Sequence, residues 1–257
     1  MVEPGKVEYE LGVPIPGIVL AADQWARTAI KKLPTEGPLD WEAIFGRRAP
    51  IVLDLGCGNG RFVLQSALAR AAIDHLGLDI LPMVIRYATR RANQRGLGNV
   101  RFAVCGGADF LEKYVAPGTI AEIHVYHPQP YGDAQKIGRR LVTPAFLALA
   151  HRSLVPGGLL VIQTDNPAYW RYATVVIPRF FDFHEQKGPW PDAPQGRTRR
   201  EIMARGMGLP VFRGWGCPRP DLDAAALEAL VAELPLPDFD ALAGKPARRP
   251  RRRGRKK

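Results

Sequence analysis

An open α/β sheet, doubly wound and mostly parallel, is the fold this sequence predicts, and three observations predict it. Ile51-Val-Leu-Asp-Leu55 is a short apolar, partly β-branched run, which reads as a buried strand. Glycines at 56, 58 and 60 follow it, and then helical spacing at Phe62, Val63, Ala67, Leu68 and Ala71, so the chain goes strand, glycine loop, helix. The same alternation continues for more than a hundred residues, and acids close three of the strands: Asp54, Asp79 and Asp165. With 257 residues, 46% of them apolar, the chain can fill one large domain with extensions, whereas two compact domains would be cramped.

The elements are justified in order. Residues 1–38 are rich in Pro and Gly and form an N-terminal arm, with one amphipathic helix candidate at Ala21–Lys32 around Trp25 and Ile30. Asp40 to Gly46 reads as a short helix, capped by Asp40 and stopped by the glycine. A second strand, His75–Ile80, leads to a helix that tolerates Pro82 in its first turn and ends before Gly96. Arg86, Arg90, Arg91 and Arg95 fall on the outer side of that helix, where a charge run is ordinarily a solvated face. The third strand is Asn99–Val104, followed by the turn Cys105-Gly-Gly-Ala-Asp109 and a helix to Tyr114. Strand four, Ile120–Tyr126, runs into His127-Pro-Gln-Pro-Tyr131 at its carboxyl end, where open α/β sheets bind ligands. A helix at 144–154, a turn at Pro156-Gly157-Gly158 and strand five at Leu159–Thr164 come next. Pro167–Phe180 is amphipathic, with Tyr169, Trp170 and Tyr172 as core aromatics; Gly188–Gln195 reads as a mobile loop, and Pro210–Trp215 as the last strand. The main domain is thus 39–220, with a helical extension at 221–244.

The formal charge of +11 is concentrated at one end. Nine basic residues and no acid lie between Lys245 and Lys257, which leaves 11 − 9 = +2 for the other 244 residues. Such a tail (245–257) cannot bury a core, so it is expected to be disordered, and its partners are polyanions unless it serves solubility alone. Three cysteines without paired spacing predict neither a disulfide framework nor a zinc site, and no metal is expected. Together with the absence of a leader or a long apolar run, this predicts a soluble cytoplasmic protein with no membrane partner.

The glycine loop narrows the ligand. A dinucleotide fingerprint is spaced G-x-G-x-x-G, but here the third glycine comes one residue early and Asp54 precedes the first. D-x-G-x-G-x-G is the form typical of S-adenosylmethionine methyltransferases, in which no phosphate needs a cradle. The ligand then lies over Gly56 and Gly58, Asp54 accepts from its ammonium group, and Asp79 accepts from both ribose hydroxyls. A nicotinamide-dependent oxidoreductase is the rival that the early glycine disfavours.

Later segments agree with one family. Asp40-Trp-Glu-Ala-Ile-Phe-Gly-Arg47, Arg139-Arg-Leu-Val-Thr-Pro-Ala-Phe-Leu147, Pro156-Gly157-Gly158, Thr164-Asp165 and the set Thr198, Glu201, Gly208, Pro210 and Arg213 fall in its order. From about Leu39 to Arg213 the chain resembles the bacterial tRNA (guanine-N7)-methyltransferases. The resemblance implies a seven-stranded Rossmann-like sheet, S-adenosylmethionine as cofactor and tRNA or another structured RNA as partner of a monomer. It places the family's adenosyl-binding turn at Gly107 and Ala108, with an Asp two residues late at Asp109. Gln129 stands at the position of the catalytic Asp, where it also counts among the cofactor contacts, and Asp133 stands where the family has a substrate-binding Lys. Arg139, Arg140, Asp165, Thr198 and Glu201 take the remaining substrate-binding positions. The changed loop leaves two alternatives: a related methyltransferase with a different RNA or small-molecule substrate, or an RNA-binding protein that keeps the cofactor site with little turnover.

Overall fold

The computed structural model describes residues 4–242. Its N-terminal arm starts with a hairpin, β1 (Tyr9–Glu10) and β2 (Val13–Pro14). Asp40 caps α1 (Trp41–Phe45) by accepting from the Ala43 N–H at 3.1 Å, and left-handed Gly46 ends it. Then follow β3 (Ile51–Leu55), α2 (Arg61–Ala69), β4 (Asp74–Asp79), α3 (Pro82–Gln94), β5 (Val100–Val104), α4 (Gly107–Tyr114) and β6 (Ile120–Tyr126). The second half comprises α5 (Pro144–Ser153), β7 (Leu154–Thr164), α6 (Pro167–Val176), β8 (Phe181–Glu185), α7 (Arg199–Gly206), β9 (Phe212–Pro218) and α8 (Ala224–Glu233).

Seven strands form one sheet in the order β5-β4-β3-β6-β7-β9-β8, parallel except for β9, which is antiparallel to both neighbours. Alternation along the strands divides the core. Ile51, Leu53 and Leu55 pack with Phe110, Phe146 and Tyr169 under α4, α5 and α6, whereas Val52 packs with Phe62, Ala88 and Phe102 under α2 and α3. Each fully buried phenylalanine contributes about 1.5–3 kcal/mol. The strand order reverses between β3 and β6, so a crevice opens beyond their carboxyl ends, beside Asp54 and Tyr126.

Several expectations are corrected. Ala21–Lys32 is not a helix: beyond a single turn at Ala22–Gln24 it runs extended along β5, bridged at Ala29 to Phe102. Ile30 N–H donates to Phe102 O at 2.8 Å and Phe102 N–H to Thr28 O at 2.8 Å, so the arm satisfies backbone groups that an edge strand leaves open. The same arm buries two arginines expected on a solvated face. Arg95 pairs with Glu8 at 2.8 Å and donates to Pro16 O at 2.6 Å, and Arg91 reaches Glu10 at 3.5 Å. Pro156-Gly157-Gly158 is not a turn before strand five but an irregularity within β7, where the register against β6 shifts and Gly157 takes a φ of 75°. Pro167–Phe180 splits into α6 and a 3-10 turn, and β8 follows in a stretch to which the sequence assigns no element. Nor is 188–195 loose: Trp190 is buried, and its indole N–H donates to Gln163 Oε1 at 2.7 Å. After α8 the chain returns without a helix along α6, where Tyr172 donates to Pro235 O and Asn166 to Ala241 O. The basic tail, 245–257, lies outside the described residues.

Candidate active site

The glycine loop is fixed from β4. Gly56 and Cys57 N–H both donate to Leu78 O at 2.8 Å, and Gly58 N–H donates to Asp79 Oδ2 at 3.1 Å. Gly56 and Gly58 have φ of 83° and 54°, in the left-handed region that a side chain disfavours, and an added Cβ on either would point into open space. The loop therefore presents bare backbone toward the crevice. Asp79 also accepts from Leu81 N–H at 3.0 Å, which leaves its outer lone pairs for a ligand hydroxyl. Exposed Ile80 and Leu81 form an apolar ledge beside it. Gly107 and Ala108, half-buried, open α4 at the tip of β5, the strand paired with β4.

Asp54 ends β3 inside a cavity of about 390 Å³, together with Gly58, Asn59, Tyr126, His127, Thr198, Arg199 and Arg200. It is 2% exposed, and its Oδ1 has no hydrogen-bond partner among the described residues. Burial, and secondly the charge of Asp79, push its carboxyl well above the usual range. Nothing in the fold explains an unpartnered buried carboxyl; a ligand cation does.

On the far wall a polar network fixes the loop after β6. Gln163, fully buried on β7, receives the Trp190 indole N–H at 2.7 Å and the Arg213 Nε–H at 3.0 Å on Oε1. Both partners can only donate, so that atom is the oxygen and the Nε2 hydrogens go to Glu201, 3.1 Å away, and to His127 Nε2, 3.0 Å away. His127 Nε2 is therefore the acceptor, and Nδ1 carries the proton, donated to Asp165 at 3.0 Å. Burial would raise the Asp165 carboxyl, but the hydrogen bonds and charges of His127 and Arg200 outweigh it and hold it well below the carboxylate range. His127 itself has a φ of 52°.

Several sequence-assigned residues stand elsewhere than a substrate would need them. Gln129 is exposed and does not line the cavity; His127, two residues earlier, does. Arg140 is 2% exposed rather than presented to RNA. Its guanidinium donates to the carbonyls of Pro130, Tyr131, Pro237 and Phe239 and lies over the Phe239 ring, so it braces the loop and the C-terminal segment. Glu201 is fully buried, accepting from Arg197 N–H and Gln163 and pairing with Arg213 at 2.8 Å. Thr198 caps α7 by accepting from Glu201 N–H at 3.1 Å, so Thr-x-x-Glu is here a helix-start device, although Thr198 also lines the cavity. Asp133, exposed, is 3.2 Å from Lys136, and Arg139 is exposed on the following 3-10 turn. Sequence reasoning does not single out His127, Gln163, Arg199 or Arg200. The signal for Gln163 is a lone amide inside the apolar run of strand five, and for the arginines their place between Thr198 and Glu201.

This architecture is shared with known proteins. A family model described as "Putative methyltransferase" matches residues 48–213. A tRNA (guanine-N7)-methyltransferase of Methylococcus capsulatus is 34% identical over 172 residues, 66% of this chain and 74% of the relative. That of Alkalilimnicola ehrlichii is 29% identical over 184 residues, 71% and 78% of the two chains. The chain belongs to the tRNA (guanine-N7)-methyltransferase family. In fold, this family member is also similar to the solved 16S rRNA methyltransferase KamB, at 15% identity and a TM-score of 0.54, over 76% of this chain and 99% of that one. Among the described residues no helix is long and apolar enough to cross a membrane, and no cluster of His, Cys, Asp or Glu could hold a metal ion.

Proposed function

We propose that this methyltransferase transfers a methyl group from S-adenosylmethionine to guanine N7 in tRNA. The observation that carries the reading is the unpartnered Asp54 carboxyl in a cavity that joins the glycine loop to α7, within a chain of this family. The residues fit the cofactor: Asp54 suits an ammonium, the bare backbone of Gly56 and Gly58 a close ligand, Asp79 a ribose diol, and Ile80 with Leu81 the face of a base. The bound cofactor supplies an electrophilic methyl on a sulfonium.

Guanine N7 has an in-plane lone pair and no proton, so its attack needs no general base. What this chain supplies is alignment and charge. The His127–Gln163 lock sets the wall against which the base enters, and positional precision of this kind accounts for much of the acceleration in such transfers. Positive charge grows on the purine, and the ionised Asp165 behind His127 stabilises it from a largely dry position. Arg200 keeps that carboxylate ionised.

Mass spectrometry of tRNA nucleosides from a deletion strain tests the substrate, with loss of 7-methylguanosine expected. The exposed position of Gln129 favours a second reading, a changed substrate with the same cofactor. Unaltered 7-methylguanosine with another methylated nucleoside missing would establish it.

A further inference from the structure

The cavity has two poles of opposite charge. One is Asp54, buried, with an oxygen unpartnered among the described residues. The other lies across the glycine loop, where Asn59 and Arg199 line the wall. Glu10 of the hairpin sits behind them: its carboxylate accepts from Asn59 Nδ2 at 2.7 and 3.0 Å and lies 3.4 Å from Arg199 Nε. The same carboxylate is 3.5 Å from Arg91 and 4.0 Å from Arg61, whose side chains are 5% and 4% exposed. One carboxylate thus faces three guanidinium groups, and Nε and Nη1 of both buried arginines have no hydrogen-bond partner among the described residues. An excess of positive charge remains beside the loop. The first N–H groups of α7, at Arg199 and Arg200, add to it, since a helix start leaves them without intrahelical partners.

A cation site and an anion site in one small cavity match a single chemical group, the α-amino acid. We infer that this end of the cavity selects the amino-acid end of the cofactor, Asp54 taking its ammonium and Arg199 with Asn59 taking its carboxylate, both aimed by Glu10. The inference rests on the reading of the cavity as an S-adenosylmethionine site. A guanidinium binds a carboxylate through parallel N–H donors, and Arg199 already has one carboxylate beside it in Glu10. An RNA phosphate is the other anion that a half-exposed arginine takes. The shared cavity with Asp54 favours the carboxylate, because that cavity holds the cation site too. Arg61 and Arg91 then act at a distance, as buried positive charge behind the anion.

Calorimetry on the full chain compares S-adenosylhomocysteine with 5′-methylthioadenosine, which lacks the amino-acid group. Arg199→Met is expected to weaken S-adenosylhomocysteine about tenfold or more and 5′-methylthioadenosine less than about twofold, with Arg199→Lys in between. Equal losses for both ligands, or none for either, overturn the carboxylate role. So does unchanged discrimination accompanied by a flatter salt dependence of tRNA binding in Arg199→Met, which assigns the arginine to phosphate. If the unaltered chain binds neither nucleoside, the cofactor reading itself fails, and this is seen before any variant is made.

Discussion

His127 and Gln129 are two residues apart in one proline-stiffened loop, and the structure gives them opposite surroundings. His127 has both ring nitrogens held, by Asp165 and Gln163, while Gln129 is exposed. In single-turnover methylation of unmodified tRNA at saturating cofactor, His127→Ala should therefore lower the rate about a hundredfold, the typical effect of a misplaced reacting group. Gln129→Ala should change it less than about threefold under the same conditions. The reverse order would return the chemistry to Gln129. Asp54 carries a second expectation, on stability as well as binding. Its carboxyl is raised in the folded chain, so the folded state holds the proton more tightly than the unfolded one. That contribution is fully present below the unfolded carboxylate value of about 3.9 and is lost as pH rises through the folded one. The Tm of ligand-free protein should fall relative to Asp54→Asn as pH goes from acid to neutral, and the variant should lose S-adenosylhomocysteine binding. Parallel Tm curves would mean that Asp54 is not buried unpaired.

At the scale of elements, one face of β6 is a polar ladder beneath α2. Arg70 bonds Glu122, Glu122 bonds His124 at 2.8 Å, His124 bonds the Tyr126 hydroxyl at 2.9 Å, and Arg197 donates to that hydroxyl at 2.9 Å. Burial opposes ionisation of Glu122, but His124 and Arg70 bring it down to about 2. Burial, aided by Arg70, pushes the neighbouring His75 down to about 3 from 6.5. The unfolded chain protonates this histidine below pH 6.5 while the folded chain does not, so stability falls with pH from there downward. The Glu122 contribution, present above about 4.3, is lost further down. Urea titrations should show stability declining already between pH 6.5 and 5, and His75→Gln should flatten that decline; an unchanged slope would remove His75 as its source. A different element, the loop after β6, depends on Arg140. Truncation to Ala strands four carbonyls and opens a gap beside Phe239, which should cost about 2–3 kcal/mol. A denaturation midpoint within error of the unaltered chain would contradict that bracing role.

Over the whole molecule, charge and catalytic architecture are separated along the chain. Nine of the basic residues sit at 245–257, whereas the cavity is built from residues 54–203. Removing everything after Gly244 should weaken tRNA binding and flatten its salt dependence, the slope falling by roughly 0.7 to 0.9 for each phosphate that the tail neutralises. Cofactor affinity should stay the same. Equal slopes for both lengths would leave the tail without a role in RNA binding. The N-terminal arm has the opposite character: it is tied into the structure by the Glu8–Arg95 pair and by the β5 edge, and it brings Glu10 to the glycine loop.

What the sequence determined by itself is what depends on neighbours along the chain. Apolar period, glycine spacing and an acid at a strand end are local signals, and they were enough to locate β3, the loop and α2, to infer a doubly wound sheet, and to name the family. The capped helix at Trp41–Phe45 was legible for the same reason. Tertiary structure alone decided what depends on partners far apart in sequence. An arginine four residues from another on a helix reads as solvated until an arm from 87 residues away supplies Glu8, as happens to Arg95. Arg140 looks like an RNA contact until carbonyls 97 and 99 residues distant fill its donors. Gln163 becomes the orienting group of the site only because Trp190, Arg213, Glu201 and His127 converge on it from four separate segments. Side-chain chemistry is written in the sequence, but whether a polar group meets water, a ligand or another residue is set by burial, and burial is a property of the folded chain.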